Sequence, residues 1–266
     1  SQRWDPGSAG AVLTLGGLAT VVARGPAGAI VDAVTWKRSL IAAAAIVVAA
    51  STAVMALVPQ FSAVAAAQIA NGVADAFFPV AISAISLGIV GREAFDWRVG
   101  LNEAWNHGGN VATAILAGVA GTLIAPVAVL WIVAALSVAS IVAVASIDGR
   151  AIDHRLARGE NEEQSAAPEA FKLLLRHRPL LLFTVAITLF HFANAAMLPL
   201  AGEKLSQGKP DSSPFFMASC IVVAQLVMVP MALLVGRKAH SWGRKPLLLR
   251  GFAALPIRGG LFALSN

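Results

Sequence analysis

Long, nearly uncharged apolar runs recur along the whole chain, separated by short polar or proline-containing breaks. Eight of them, at about 10–33, 39–58, 61–90, 100–124, 126–147, 179–201, 214–236 and 247–266, approach the ~20 residues that a helix needs to cross ~30 Å of hydrocarbon. Pro59-Gln60 divides the second run from the third, and Pro126 divides the fourth from the fifth. A helix on the surface of a soluble domain carries a polar face opposite its apolar stripe. Most of these runs carry none. The pattern therefore predicts an all-α polytopic membrane protein, not a soluble helical core.

The exception to the pattern is 148–178, which holds Asp148, Arg150, Asp153, His154, Arg155, Arg158, Glu160, Glu162, Glu163 and Glu169. It reads as a solvated linker, and its end, Ala170 to Arg178, as a short amphipathic helix on the membrane surface. Composition agrees with the membrane reading: 58% of the 266 residues are hydrophobic and 13% charged, against about a quarter charged in an ordinary soluble domain. Cys220 is the single cysteine, so a disulfide framework or a cysteine metal site is not expected. No cofactor is expected either. The chain starts without Met and without a cleavable leader pattern, and its ends read as cuts within a longer protein.

The net charge of +6 could suggest nucleic acid, but its distribution points to membrane topology. Taking the loops alternately, one side carries Lys37, Arg38, Arg92, Arg98, Arg150, Arg155, Arg158, Lys172, Arg176, Arg178, Arg237, Lys238, Arg244 and Lys245. The other carries only Arg3, Lys204 and Lys209. The positive-inside rule places the first set in the cytoplasm. The loops at 34–38, 91–99, 148–178 and 237–246 are then cytoplasmic, and the expected partners are a lipid bilayer, with no nucleic acid.

Two of these loops resemble one another. The first runs Gly28-Ala-Ile-Val-Asp32 and on to Trp36-Lys37-Arg38. The last runs Gly236-Arg-Lys-Ala-His240 and on to Ser-Trp-Gly243-Arg244-Lys245. Both join an outward-to-inward span to an inward-to-outward one. A same-sense repeat separated by a linker predicts two helical bundles related by an axis along the membrane normal.

Polar groups inside the spans are costly in hydrocarbon and usually face a cavity or a partner. Gln68, Asn71 and Asp75 fall at i, i+3 and i+7, on one helix face. A mid-span aspartate can hold a proton and release it when water or a cation approaches; the alternative is an aspartate paired within the bundle. Glu103, Asn106, His107 and Asn110 fall at i, i+3, i+4 and i+7, again on one face. Histidine changes charge near neutral pH, so Glu103 and His107 are proton or substrate candidates, unless Glu103 simply marks a helix start at the headgroups. His191 and Asn194 share a face and precede Pro199; Gln225 and Pro230 are weaker candidates. Arg24 and Arg258 lie within spans, where an arginine costs at least ~2.5 kcal/mol. Either needs a partner, such as Asp75, Glu103 or an anionic substrate group. Gly28 would let helices approach closely, Asp32 would cap or pair near a helix end, and Lys37 and Arg38 would hold their loop at the anionic inner leaflet.

The pattern Gly-x-x-x-Asp-x-x-Gly-Arg-Lys, echoed in a second copy, resembles the cytoplasmic loop signature of the major facilitator superfamily. Gly28, Asp32, Lys37 and Arg38 match the first copy, with Thr35 and Trp36 departing from it. Gly236, Gly243, Arg244 and Lys245 match the second, with His240 in place of Asp. The resemblance implies that the spans are helices two to nine of twelve. Residues 1–147 would be the N-terminal bundle without its first helix, 148–178 the cytoplasmic linker, and 179–266 the start of the C-terminal bundle. It also implies that these loops latch the halves in one state, and that the sixth span is helix seven, lining the cavity. The superfamily's fourth helix often carries Arg-x-x-Gln-Gly; here Gln68-Ile-Ala-Asn71-Gly72 stands without the Arg. Its antiporter signature is not met, because Thr113-Ala114 occupies that place.

The expected function is secondary active transport of a small organic solute by alternating access. Proton-coupled efflux of a drug or metabolite across a bacterial inner membrane comes first, and proton-coupled uptake second. The whole protein is expected to be a monomer. A non-transporting membrane protein or an intramembrane enzyme is the competing class, but neither His-Glu-x-x-His nor Gly-x-Ser-x-Gly occurs, and no Gly-x-x-x-x-Gly-Lys-Ser/Thr loop for an ATP-driven pump is found.

Overall fold

The computed structural model describes residues 6–159, 176–195, 197 and 213–264. Its helices are α1 (Pro6–Ala33), α2 (Lys37–Leu57), α3 (Phe61–Asp75), α4 (Phe77–Leu123), α5 (Ala128–Ala145), α6 (Arg178–Ala195), α7 (Ser213–Trp242) and α8 (Arg244–Leu264). No strand occurs among the described residues. Six stretches are long and apolar enough to cross a membrane, one of them the 61 residues Phe61–Gly121. That stretch contains two of the expected spans, and Arg178–Asn194 is a shorter apolar helix.

The helix breaks have local causes. Pro59 and Pro126 stand in the turns before α3 and α5, where a missing N–H is harmless. The break between α3 and α4 has a proline cause too. Pro79 has no N–H for the carbonyl four residues back, and its ring crowds that carbonyl, which belongs to Asp75. Within α4, Gly91 takes φ 72° and ψ 178°, a left-handed backbone open to glycine and costly for other residues. Gly243 (φ 80°) does the same between α7 and α8.

The expected loop at 91–99 needs correction, because helix resumes at once after Gly91. Residues 92–99 contain neither proline nor glycine, so nothing breaks the turn. Likewise α7 continues to Trp242, through most of the expected loop at 237–246.

Two compact units are present: Ser1–Phe95 with Ile115–Asn161, and Asp96–Ala114 with Glu162–Asn266. In the first, α1 packs on α3, and α2 packs on both α3 and α5. The α1–α3 contact is glycine to glycine: a Cβ on Gly72 would stand 2.2 Å from the Gly16 carbonyl oxygen. Such small-residue contacts let helices pack where no hydrophobic effect drives them together. Val31, Ile41, Ala81, Ala84 and Ile85 form a buried cluster that Ile152 and Ala157 complete.

The last two residues correct the solvated-linker reading for its first third. Residues 149–151 and 156–158 form 3-10 turns, begun by side-chain caps. The Asp148 carboxylate accepts from the Arg150 N–H (2.9 Å), and that of Asp153 accepts from Arg155 (2.8 Å) and Leu156 (3.1 Å). The Asp153 N–H donates to the Gly88 carbonyl at 2.9 Å, and Arg92 donates to the Gly159 carbonyl at 2.8 Å. Polar composition concealed two apolar anchors, Ile152 and Ala157. Most of the expected surface helix, 170–178, lies outside the described residues, as do Pro199, Arg3, Lys172, Lys204 and Lys209.

In the second unit, α8 contacts α7 and α6. The segment 96–114 meets α7 at another glycine pair: a Cβ on Gly100 would lie 2.6 Å from Gly236 Cα. In both units, hydroxyls within the helices bond back to carbonyls one turn earlier, as in Thr20 to Gly16 (3.1 Å) and Thr188 to Thr184 (2.8 Å). This satisfies them without a partner helix.

Candidate functional site

In the first unit, the α3 stripe ends at the proline break. Asp75 closes α3 and is exposed, while Gln68 and Asn71 are half-buried. The Asn71 carbonyl oxygen is buried and meets no donor among the described residues. Arg24 is exposed on α1.

In the second unit, the other stripe finds a partner on α7. His107 Nδ1 lies 2.5 Å from Gln225 Oε1, and the Asn110 amide donates to the same oxygen at 3.5 Å. Because Gln225 Oε1 can only accept, His107 carries its proton on Nδ1 in this contact. Glu103 accepts from Asn106 at 3.3 Å. His107 is half-buried, whereas Glu103, Asn106 and Asn110 are exposed. Sequence reasoning ranked Gln225 low. Its signal was a lone amide in the apolar run 219–235, and only the packing shows what it meets.

Asp75 and Glu103 were weighed as partners for Arg258, but Arg258 bonds elsewhere. It donates to Asn194 Oδ1 at 2.5 Å and approaches Met197 Sδ at 3.1 Å. Asn194 lies on the neighbouring α6, which α8 packs against, so the nearest polar group takes the guanidinium. His191 is exposed and meets Phe190 edge-on, with 5.7 Å between ring centroids, and Phe190 stacks on Phe252 at 4.8 Å.

The two motif loops differ in construction. Lys37 is fully buried. Its ammonium donates to the Val31 carbonyl and, at 2.8 Å, to that of Val34. It thus satisfies orphan carbonyls at the end of α1. Arg38 reaches the Ala145 carbonyl at the end of α5, at 3.4 Å. The expectation that this pair holds the loop to lipid is corrected accordingly: two helix ends already occupy both side chains. Asp32 is exposed, within electrostatic reach of Lys37 and Arg158. Gly28 is not a close-approach glycine, since a Cβ there would meet nothing within 4 Å.

The second loop is built on charge and glycine. Gly236 is the close-approach residue. Arg244 grips Asp96 through a fork, with Nη2 2.7 Å from Oδ1 and Nε 3.3 Å from Oδ2. The Arg237 guanidinium lies 5.2 Å from the Trp97 ring centroid. Arg250 lies 5.0 Å and Lys238 5.7 Å from that of Trp242. His240 and Lys245 are exposed. Asp96 and Trp97 went unranked in the sequence, where they read as ordinary loop residues.

Membrane-length apolar helices, with their polar groups gathered on stripes, make this an all-α polytopic membrane protein. The chain belongs to the major facilitator superfamily, whose model matches residues 1–266. Two proteins from two strains of Mycobacterium tuberculosis, each named an uncharacterized MFS-type transporter, are 44% identical to it over 266 residues. The match covers 99% of this chain and 64% of each relative, so the chain spans about two thirds of their length. No solved structure matches it significantly.

Proposed function

We propose that the protein performs secondary active transport of a small organic solute by alternating access, with proton-coupled efflux of a drug or metabolite as the leading direction. The moving parts are a bundle within 1–147 and a second beginning at 179, joined by the linker 148–178. Solute and protons are taken by the stripes carrying Asn71, Asp75, Glu103, Asn106, His107, Asn110, His191 and Asn194. The basic loops face the cytoplasm of a bacterial cell.

The observation that carries this reading is the Asp96–Arg244 fork. In the two-bundle division expected from the sequence Asp96 belongs to the first bundle and Arg244 to the second, although both lie in the second compact unit. The pair is bidentate, yet the Arg244 side chain is 77% exposed. An exposed ion pair contributes at most about 1 kcal/mol. It is thus specific enough to mark one state and weak enough to open in every cycle. The glycine contact at Gly100 and Gly236 lets the helices slide without interlocking side chains.

The test is reconstitution in proteoliposomes with an imposed proton gradient. Asp75→Asn should abolish uphill transport and leave solute exchange. Uphill transport at the wild-type rate in Asp75→Asn would end the coupling role. Solute accumulating with the proton gradient, rather than against it, would make the protein an uptake carrier. For the fork, Asp96→Arg and Arg244→Asp should each slow exchange, and the double swap should restore it.

A further inference from the structure

The α1–α3 contact fixes where two opposite charges in the first unit stand. Gly16 and Ala19 of α1 touch Gly72 of α3, and α1 and α3 run in the same sense because α2 returns the chain between them. From the line midway between Gly16 and Ala19, at 100° per residue, Arg24 is rotated by about 110° on α1 and Asp75 by about 60° the opposite way on α3. For parallel helices these rotations fall on the same side of the pair. Along the axis, Arg24 lies about six and a half residues beyond the midpoint of Gly16 and Ala19, and Asp75 three beyond Gly72. At 1.5 Å per residue the two stand at heights within about 5 Å. Both side chains are exposed, and neither forms a hydrogen bond or ion pair with the described residues. Asn71, one turn before Asp75, joins the same side and holds a buried acceptor oxygen that meets no donor among the described residues.

We propose that this face of the first unit binds a small zwitterion, an amine-carboxylate whose carboxylate meets Arg24 and whose ammonium meets Asp75. A guanidinium receives a carboxylate as a fork. An ammonium has three N–H donors, enough for Asp75 and for the unmet oxygen of Asn71 after a turn of its amide. The inference rests on the transport reading and deepens it by naming the solute class. It also states how protons would couple. The solute's ammonium and a proton compete for one carboxylate, so protonating Asp75 expels the ammonium, and proton entry drives solute release. Of the charged groups on α1 and α2, which pack on α3, Arg24 alone stands at the height of Asp75. Asp32 lies about two turns further along α1, and Lys37 and Arg38 open α2.

The experiment is equilibrium binding to the protein in nanodiscs, with the proteinogenic amino acids offered one at a time. L-leucine would be compared with 3-methylbutylamine and 4-methylpentanoate, which keep one charge each, and any stronger amino acid with its own analogues. The expected result is binding of at least one zwitterion and not of its singly charged analogues, weakening as pH falls. Arg24→Gln and Asp75→Asn should each weaken it about tenfold or more, with the pH dependence gone in Asp75→Asn. Arg24→Lys, which keeps the charge, and the neutral double variant Arg24→Gln/Asp75→Asn control for folding. If no amino acid binds, or the singly charged analogues bind equally well, the inference is overturned. The same holds if the double variant binds like wild type. Failure here, with another solute still carried uphill by wild type and not by Asp75→Asn, would leave the transport reading intact. Zwitterion binding without any uphill flux would remove that reading and leave the site.

Discussion

Lys37 is a membrane-boundary lysine that turns inward. It is long enough to fold back over the end of its neighbour and satisfy carbonyls that would otherwise face the α1–α2 turn unpaired. Lys37→Met keeps the length and removes the donors. It should lower the stability of the first unit by about 1–3 kcal/mol, the cost of leaving a buried acceptor unmet, read as a lower apparent melting temperature in detergent. Asp153 makes the opposite bargain at the surface. The amide N–H groups of Leu156 and Arg155 hold its carboxyl below the usual aspartate range. A lowered folded value means that the ionised carboxylate favours the turn at pH above the unfolded value, ~4, and that this is lost as pH falls through the folded one. Hydrogen exchange at the Leu156 amide should therefore speed up in acid, beyond the intrinsic change. In Asp153→Asn that acid-induced step should be absent.

At the scale of elements, glycine position rather than glycine content decides packing. Gly28 belongs to a recognisable motif and Gly72 to a poorer match, yet only Gly72 sits against another backbone. Gly72→Ala should push α1 from α3 and lower both yield and thermal stability, whereas Gly28→Ala should leave both unchanged. Equal loss in the two variants would mean that the contact is not at Gly16. The helices themselves were legible because hydrocarbon demands long apolar runs, and α1, α2, α5 and α8 begin and end within a few residues of the expected places. Their partners were not legible. Whether Gly28 or Gly72 meets a neighbour, or Arg258 meets Asn194 rather than a carboxylate, depends on rotation about each helix axis, and the spacing of residues within one helix leaves that rotation open. The anchoring of 148–159 was hidden for a related reason: two apolar side chains among many charges do not alter a segment's average.

For the whole molecule, the positive-inside count makes a claim that labelling can check. In a Cys220→Ser background, cysteines placed at Trp36, His154 and Lys245 should react with a membrane-impermeant maleimide only in inside-out vesicles, and one at Lys209 only in right-side-out vesicles. Any of the first three reacting from outside would overturn the assigned sidedness. The candidate sites were read from the sequence as stripes on single helices. What the structure adds is Gln225 opposite His107.

Gly91 has a consequence for the arithmetic of topology. A straight α-helix of the 47 residues in α4 would be about 70 Å long, more than twice the ~30 Å of a bilayer core, and no single crossing could hold it. One left-handed residue divides that length into 77–90 and 92–123, about 21 and 48 Å long. The interruption that a bilayer demands of so long a helix rests on one residue without a Cβ.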